Sequence, residues 1–134
     1  MRVYLAARYN RRAEMAAHKE LLQVYGHEVV STWTEETVLI PSDGDTRELF
    51  TLLQEEHCDI ACNDLDEIRG CDQLLAFTDS PNDAHIRGGR HIEAGYAMGL
   101  GISVSVIGEI ENIFYSICMQ YPNLEAWIDE HQGH

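Results

Sequence analysis

Positive charge is the scarcest thing in this sequence: nine Lys and Arg stand against 23 Asp and Glu, a formal net charge of −14 over 134 residues. A field of that sign repels phosphate backbones and anionic lipid, which argues against a nucleic-acid duplex or a membrane surface as a partner. Long apolar runs are absent as well, and no stretch approaches the roughly 18 residues that span a bilayer. The opening Met1-Arg2-Val3-Tyr4-Leu5-Ala6-Ala7 is too short an apolar run for a secretion signal and has the character of a strand. The expectation is a cytoplasmic protein. Cysteine is limited to Cys58, Cys62, Cys71 and Cys118, and none of them forms the CxxC pair usual in structural zinc sites. Reduced, mostly buried thiols and no metal are therefore expected. No repeat, linker or low-complexity segment divides the chain.

What is present fits one globular domain over residues 1–134, with 45% hydrophobic residues to build a core. A β-prone run at residues 3–6 is followed by helical spacing over residues 11–25, with Met15, Leu21, Leu22 and Tyr25 on an apolar stripe and Gly26 as the stop. A second strand is expected at 28–32, a loop at 41–45, and a helix over 46–68 that ends at Gly70. Gln73-Leu74-Leu75-Ala76-Phe77 is a continuous apolar run of the kind found in buried parallel strands. A polar loop over 78–88 leads to a helix at 90–100, a strand at 102–107, and two short helical stretches at 111–118 and 124–130. Strands alternating with helices predict right-handed βαβ units. The expected fold is a three-layer flavodoxin/Rossmann-like α/β sandwich around a parallel sheet of four to five strands. Ligands bind such sheets beyond the carboxyl ends of the strands, where the strand order reverses.

The few cations are unevenly placed. Arg8, Arg11 and Arg12 follow the first strand, and Arg87 and Arg90 flank Gly88-Gly89, so both groups belong to loops at that carboxyl edge. Two readings are open: they hold a small anion such as a phosphate, or they pair with carboxylates such as Glu14 and Asp83. Gly88 and Gly89 let a backbone approach a ligand before a helix whose first N–H groups carry positive potential. Glu93 lies about one turn into that helix, where the dipole favours an ionised carboxylate suited to attack on an anomeric carbon. Gly95 and Ala97 leave space around it. Asp72 serves either as a turn former or as a ligand contact. His91 stands between a phosphate contact and the helix surface, Trp33 between a base-stacking ring and core, and Trp127 packs the last helix down.

Three segments resemble the nucleoside 2-deoxyribosyltransferase family and its relatives, the 2′-deoxynucleoside 5′-phosphate N-hydrolases. They are Tyr4-Leu5-Ala6-Ala7; Asn63-Asp64-Leu65 followed by Cys71-Asp72-Gln73-Leu74-Leu75-Ala76; and Gly89 through Ala97. The resemblance implies Glu93 as nucleophile, Tyr4 as the residue that orients it, and Asp64 as a helper in the site. It also implies that Asn112 reaches the ligand of a neighbouring subunit, in a homodimer or higher homo-oligomer. Ala6, Ala7, Arg8, Asp72, Gly88, Gly89, Arg90, His91 and Asn112 make up the expected substrate contacts. Family transferases carry an Asp six residues before the nucleophile to hold the base, and Arg87 stands there instead, which points to a phosphorylated or otherwise altered ligand. The implied activity is N-glycosidic cleavage or base exchange on a 2′-deoxynucleoside or its 5′-monophosphate, through a covalent glycosyl-Glu93 intermediate and with no cofactor. The alternative is a non-catalytic module on the same fold that sequesters a nucleotide.

Overall fold

The computed structural model describes residues 1–35, 54–79 and 89–132. The expected loop at 41–45, the first part of the expected 46–68 helix, and the loop residues Asp83, Arg87 and Gly88 lie outside them. Five parallel strands form one sheet in the order β2-β1-β3-β4-β5. They are β1 (Arg2–Ala6), β2 (Glu28–Val29), β3 (Gln73–Phe77), β4 (Ser103–Ile107) and β5 (Met119–Tyr121). Among the described residues the helices are α1 (Arg12–Val24), α2 (Gln54–Arg69), α3 (Gly89–Gly99) and α4 (Leu124–Glu130), with short 3-10 turns at Tyr9–Arg11, Trp33–Glu35 and Ile113–Ile117. This is the flavodoxin-like strand order, and the sense of winding reverses between β1 and β3.

The centre of the sheet is where the sequence is most apolar. All five residues of β3 are buried, and β1 pairs with it in the register Tyr4 with Leu74 and Ala6 with Ala76. Gln73 is the polar exception. Its Oε1 accepts from Ser105 Oγ at 2.7 Å and from Trp127 Nε1 at 2.5 Å, so a buried amide is satisfied while the fully buried Trp127 docks α4 onto the sheet.

Several boundaries differ from the sequence expectation. The second strand stops after two residues because side chains take over the edge of β1: Ser31 Oγ accepts from the Leu5 N–H, and Trp33 Nε1 donates to the Leu5 carbonyl at 2.7 Å. Trp33 is thus a core residue and not an exposed stacking surface. Met15 and Leu22 are buried on α1, but Tyr25 follows the last helical residue and is 47% exposed. The expected helix at 111–118 is the 3-10 turn Ile113–Ile117, capped by Asn112, whose side chain accepts from the Phe114 N–H at 3.0 Å. Only Cys71 of the four thiols is buried; Cys58 and Cys62 are exposed on α2. Among the described residues no group of His, Cys, Asp and Glu is arranged to hold a metal ion, and no helix is long and apolar enough to cross a membrane.

Candidate active site

Tyr4 lies in the middle of β1 with its side chain fully buried. Its hydroxyl donates to the Glu93 carboxylate of α3, a contact between residues 89 positions apart in the chain. Alternation along β1 puts Tyr4 and Ala6 on one face of the sheet, and the small Ala6, itself buried, keeps that face low towards the carboxyl edge. Burial, reinforced by the Glu93 and Asp64 carboxylates, raises the Tyr4 phenol far above its ordinary range, so the hydroxyl remains a donor.

Glu93 is pushed from a carboxyl's ordinary 4.5 up to about 8. Burial is the main cause. The Tyr4 hydrogen bond opposes it, and the negative charges of Asp64 and Glu67 on α2 add to it. The expected helix-dipole stabilisation of the ionised form is overcome here, because desolvation of a carboxylate outweighs the few tenths to 1 kcal/mol a helix end offers about one turn from its start. Glu67 was not singled out from the sequence. It sits three residues after Asp64 on the same helix face, a spacing that could have found it, and its Oε1 accepts from the Thr32 N–H at 3.1 Å.

The arginines converge, but on carboxylates of the protein. Arg90 is buried and forks onto Glu111, Nε to Oε1 at 2.8 Å and Nη2 to Oε2 at 2.7 Å. Asp79, just beyond β3, lies 3.4 Å from Arg90, 3.2 Å from Arg11 and 3.6 Å from Arg8. Arg11 also pairs with Glu14 at 2.7 Å. Of the two readings open for these cations, pairing with carboxylates is seen for Arg8, Arg11 and Arg90; the Arg90 side chain is 1% exposed, with Nε and Nη2 held by Glu111 and Nη2 also near Asp79.

The fold is that of a 2-deoxyribosyltransferase. The chain superposes on the enzyme from Bacillus psychrosaccharolyticus with a TM-score of 0.64 at 18% identity, covering 100% of this chain and 92% of that one. A CMP N-glycosidase from Clostridium botulinum superposes with a TM-score of 0.55 at 19% identity, covering 97% of each chain. A conserved protein from Enterococcus faecalis gives 0.50 at 18% identity over 99% of this chain and 88% of that one. At such identities the likeness establishes the α/β architecture. No protein-family model and no curated protein matches the sequence.

The remaining expected site residues divide between the two ends of the sheet and the two flanks of α3. Arg8 and the buried Ala7 follow β1 at the carboxyl edge. Gly89 is the exposed first residue of α3. Asp72 precedes β3 at the opposite, amino-terminal edge, where its Oδ2 accepts from the Arg2 N–H at 2.7 Å. It is therefore a turn residue, a strand's length away from the carboxyl edge. Gly95 is two residues from Glu93, about 200° around the helix, and lines a cleft of about 270 Å³ with His91, Ala94, Met98, Asn112, Phe114 and Tyr115. His91 is half-buried there, with Nδ1 2.9 Å from the Tyr115 hydroxyl; burial and the neighbouring Arg90 lower its pKa. Asn112 lines this cleft, and Tyr115 on its wall lies close enough to Glu93 for the Glu93 charge to help raise its phenol above its ordinary range.

Proposed function

We propose that this protein is an enzyme that breaks the N-glycosidic bond of a 2′-deoxynucleoside, with Glu93 as the nucleophile. The observation that carries the reading is the Tyr4–Glu93 pair: a carboxylate oriented by a buried phenol, at the edge of a parallel sheet where the winding reverses. The ionised Glu93 attacks C1′ as the C1′–N bond breaks, and the electron pair goes to the base nitrogen, which takes a proton from solvent. Water then attacks C1′ of the glycosyl ester, releasing the sugar and the Glu93 carboxylate; a second base in place of water gives exchange. Tyr4 steadies the carboxylate, and the crowd of Asp64 and Glu67 makes the charge-neutral ester favourable relative to the free anion.

The uncharged nucleoside is better supported than its 5′-monophosphate, because Arg8, Arg11 and Arg90 are engaged with Asp79, Glu14 and Glu111. The two superposed enzymes act, respectively, on deoxyribosyl groups and on CMP, so the phosphate remains the pointed comparison. The active form is a homo-oligomer. The surface next to Asn112 exposes Ile113, Phe114, Ile117 and Met119 at 60–80%, an apolar face suited to a second copy that would receive Asn112 at its ligand.

The test is incubation of the protein with a panel of deoxynucleosides and their monophosphates, with free base read by chromatography. Release by the parent and none by Glu93→Ala is the expected result. Binding without release, in both proteins, would select the ligand-sequestering alternative.

A further inference from the structure

The pair that carries the proposed chemistry is assembled from two elements, β1 and α3, and Asp79 sits between cations that belong to both. Arg8 and Arg11 follow β1, and Arg90 is the second residue of α3, one turn before Glu93. All three guanidinium groups lie within 3.6 Å of the one Asp79 carboxylate. Oδ1 takes the Arg11 contact, and Arg11 Nη1 also donates to the carbonyls of Phe77 and Thr78 at 3.4 and 3.3 Å. Oδ2 lies between Arg8 and Arg90 and, among the described residues, accepts no hydrogen bond. Charge alone centres it between a β1-loop cation and an α3 cation. Arg90 is meanwhile clamped by Glu111 beyond β4.

We propose that Asp79 is a positioning residue: its carboxylate ties the loop after β1 to the first turn of α3 and so holds Glu93 against Tyr4. The proposal rests on the reading of Glu93 given above for its kinetic consequence, but not for its geometry. Asp79 is not among the charges acting on Glu93, which are Asp64 and Glu67. Loss of the Asp79 charge by itself would lower the Glu93 pKa only slightly, so Arg8→Met, in which loss of charge acts in the opposite direction, is titrated beside it.

The measurement is the titration of the Glu93 side chain by carbon-13 NMR in the full-length parent and in Asp79→Asn, which needs no substrate. A loosened first turn admits water to the carboxylate, so its pKa falls from about 8 towards 4.5, by at least about one unit. Base release falls roughly ten- to hundredfold with KM within about threefold, as expected when a nucleophile is misplaced by a fraction of an ångström. Asp79→Glu, which restores the charge on a longer stem, recovers part of both. An unchanged Glu93 titration in folded Asp79→Asn overturns the proposal. Should that variant fail to fold, Arg8→Met cuts the same tie from the other end. Loss of a cation by itself raises the Glu93 pKa, whereas loss of position lowers it, so a fall supports the proposal and a rise or no change refutes it. A parent that releases no base from any nucleoside removes the proposed reaction, while the titration still decides the role of Asp79.

Discussion

Protonation of Glu93 offers the sharpest test of the site, because it couples stability and activity in opposite directions. A carboxyl raised from 4.5 to about 8 keeps, in the folded protein, a proton that the unfolded chain has already released between those two values. Folding stability attributable to this group is therefore unaffected below about pH 4.5, falls as pH rises through the window, and levels off above about 8. At about 1.4 kcal/mol per unit the full shift corresponds to about 5 kcal/mol; with relaxation of the surroundings on ionisation, about 2–4 kcal/mol is the expected size. Glu93→Gln keeps the shape and removes the titration. Urea unfolding followed by the fluorescence of Trp33 and Trp127, both buried, should show variant and parent nearly equal at pH 5. The variant should be more stable by about 2–4 kcal/mol at pH 9, other titrating groups cancelling in the difference. Base release by the parent should run the other way, rising about tenfold per pH unit to a plateau near pH 8, where the nucleophile is ionised. A stability difference that stays flat from pH 5 to 9 would refute the buried-carboxyl reasoning.

Tyr4→Phe removes the hydrogen bond that lowers the Glu93 pKa, so the rate profile should shift to higher pH and the plateau rate fall about ten- to hundredfold, in keeping with loss of one charge-assisted contact; a profile that stays in place contradicts the orienting role. Inactive Glu93→Ala and Asn112→Ala proteins, unfolded together and refolded at equal concentration, should regain roughly a quarter of parental turnover if Asn112 serves the partner's site, and none if each chain works alone. Calorimetric titration of a matched nucleoside and 5′-monophosphate should show no gain from the phosphate; a hundredfold preference for the monophosphate would mean that the arginines leave their carboxylates. Trp127→Ala, which opens a cavity and removes one of the two donors to Gln73 Oε1, should lower unfolding free energy by about 3–5 kcal/mol in urea.

The parts of this molecule that were legible in the sequence are those where one local signal decides the outcome. The continuous apolar run at 73–77 could only be buried on both faces, and it is the middle strand; Trp127 could only be covered by packing its helix down. Boundaries set by tertiary partners were not legible. Nothing within residues 28–32 shows that Ser31 and Trp33 will take the Leu5 backbone groups and end the strand, and Met119–Tyr121 is too short and too exposed to announce a strand before β4 is there to pair with it. The same division runs through the site. Glu93 stood out by residue type and place, and Tyr4 through the family resemblance, yet the electrostatics of Glu93 reversed the local expectation, because the dipole of α3 is a property of one helix whereas desolvation and the charges of Asp64 and Glu67 belong to the assembled fold. The arginines show this most fully. Five cations in two loops of an acidic chain suggested a waiting anion, and the convergence is real for Arg8, Arg11 and Arg90. The anion that three of them meet is Asp79, brought there by the end of β3. In a protein of net charge −14, carboxylates greatly outnumber the cations that can neutralise them, so a buried acid such as Asp79 needs those arginines as much as any ligand would.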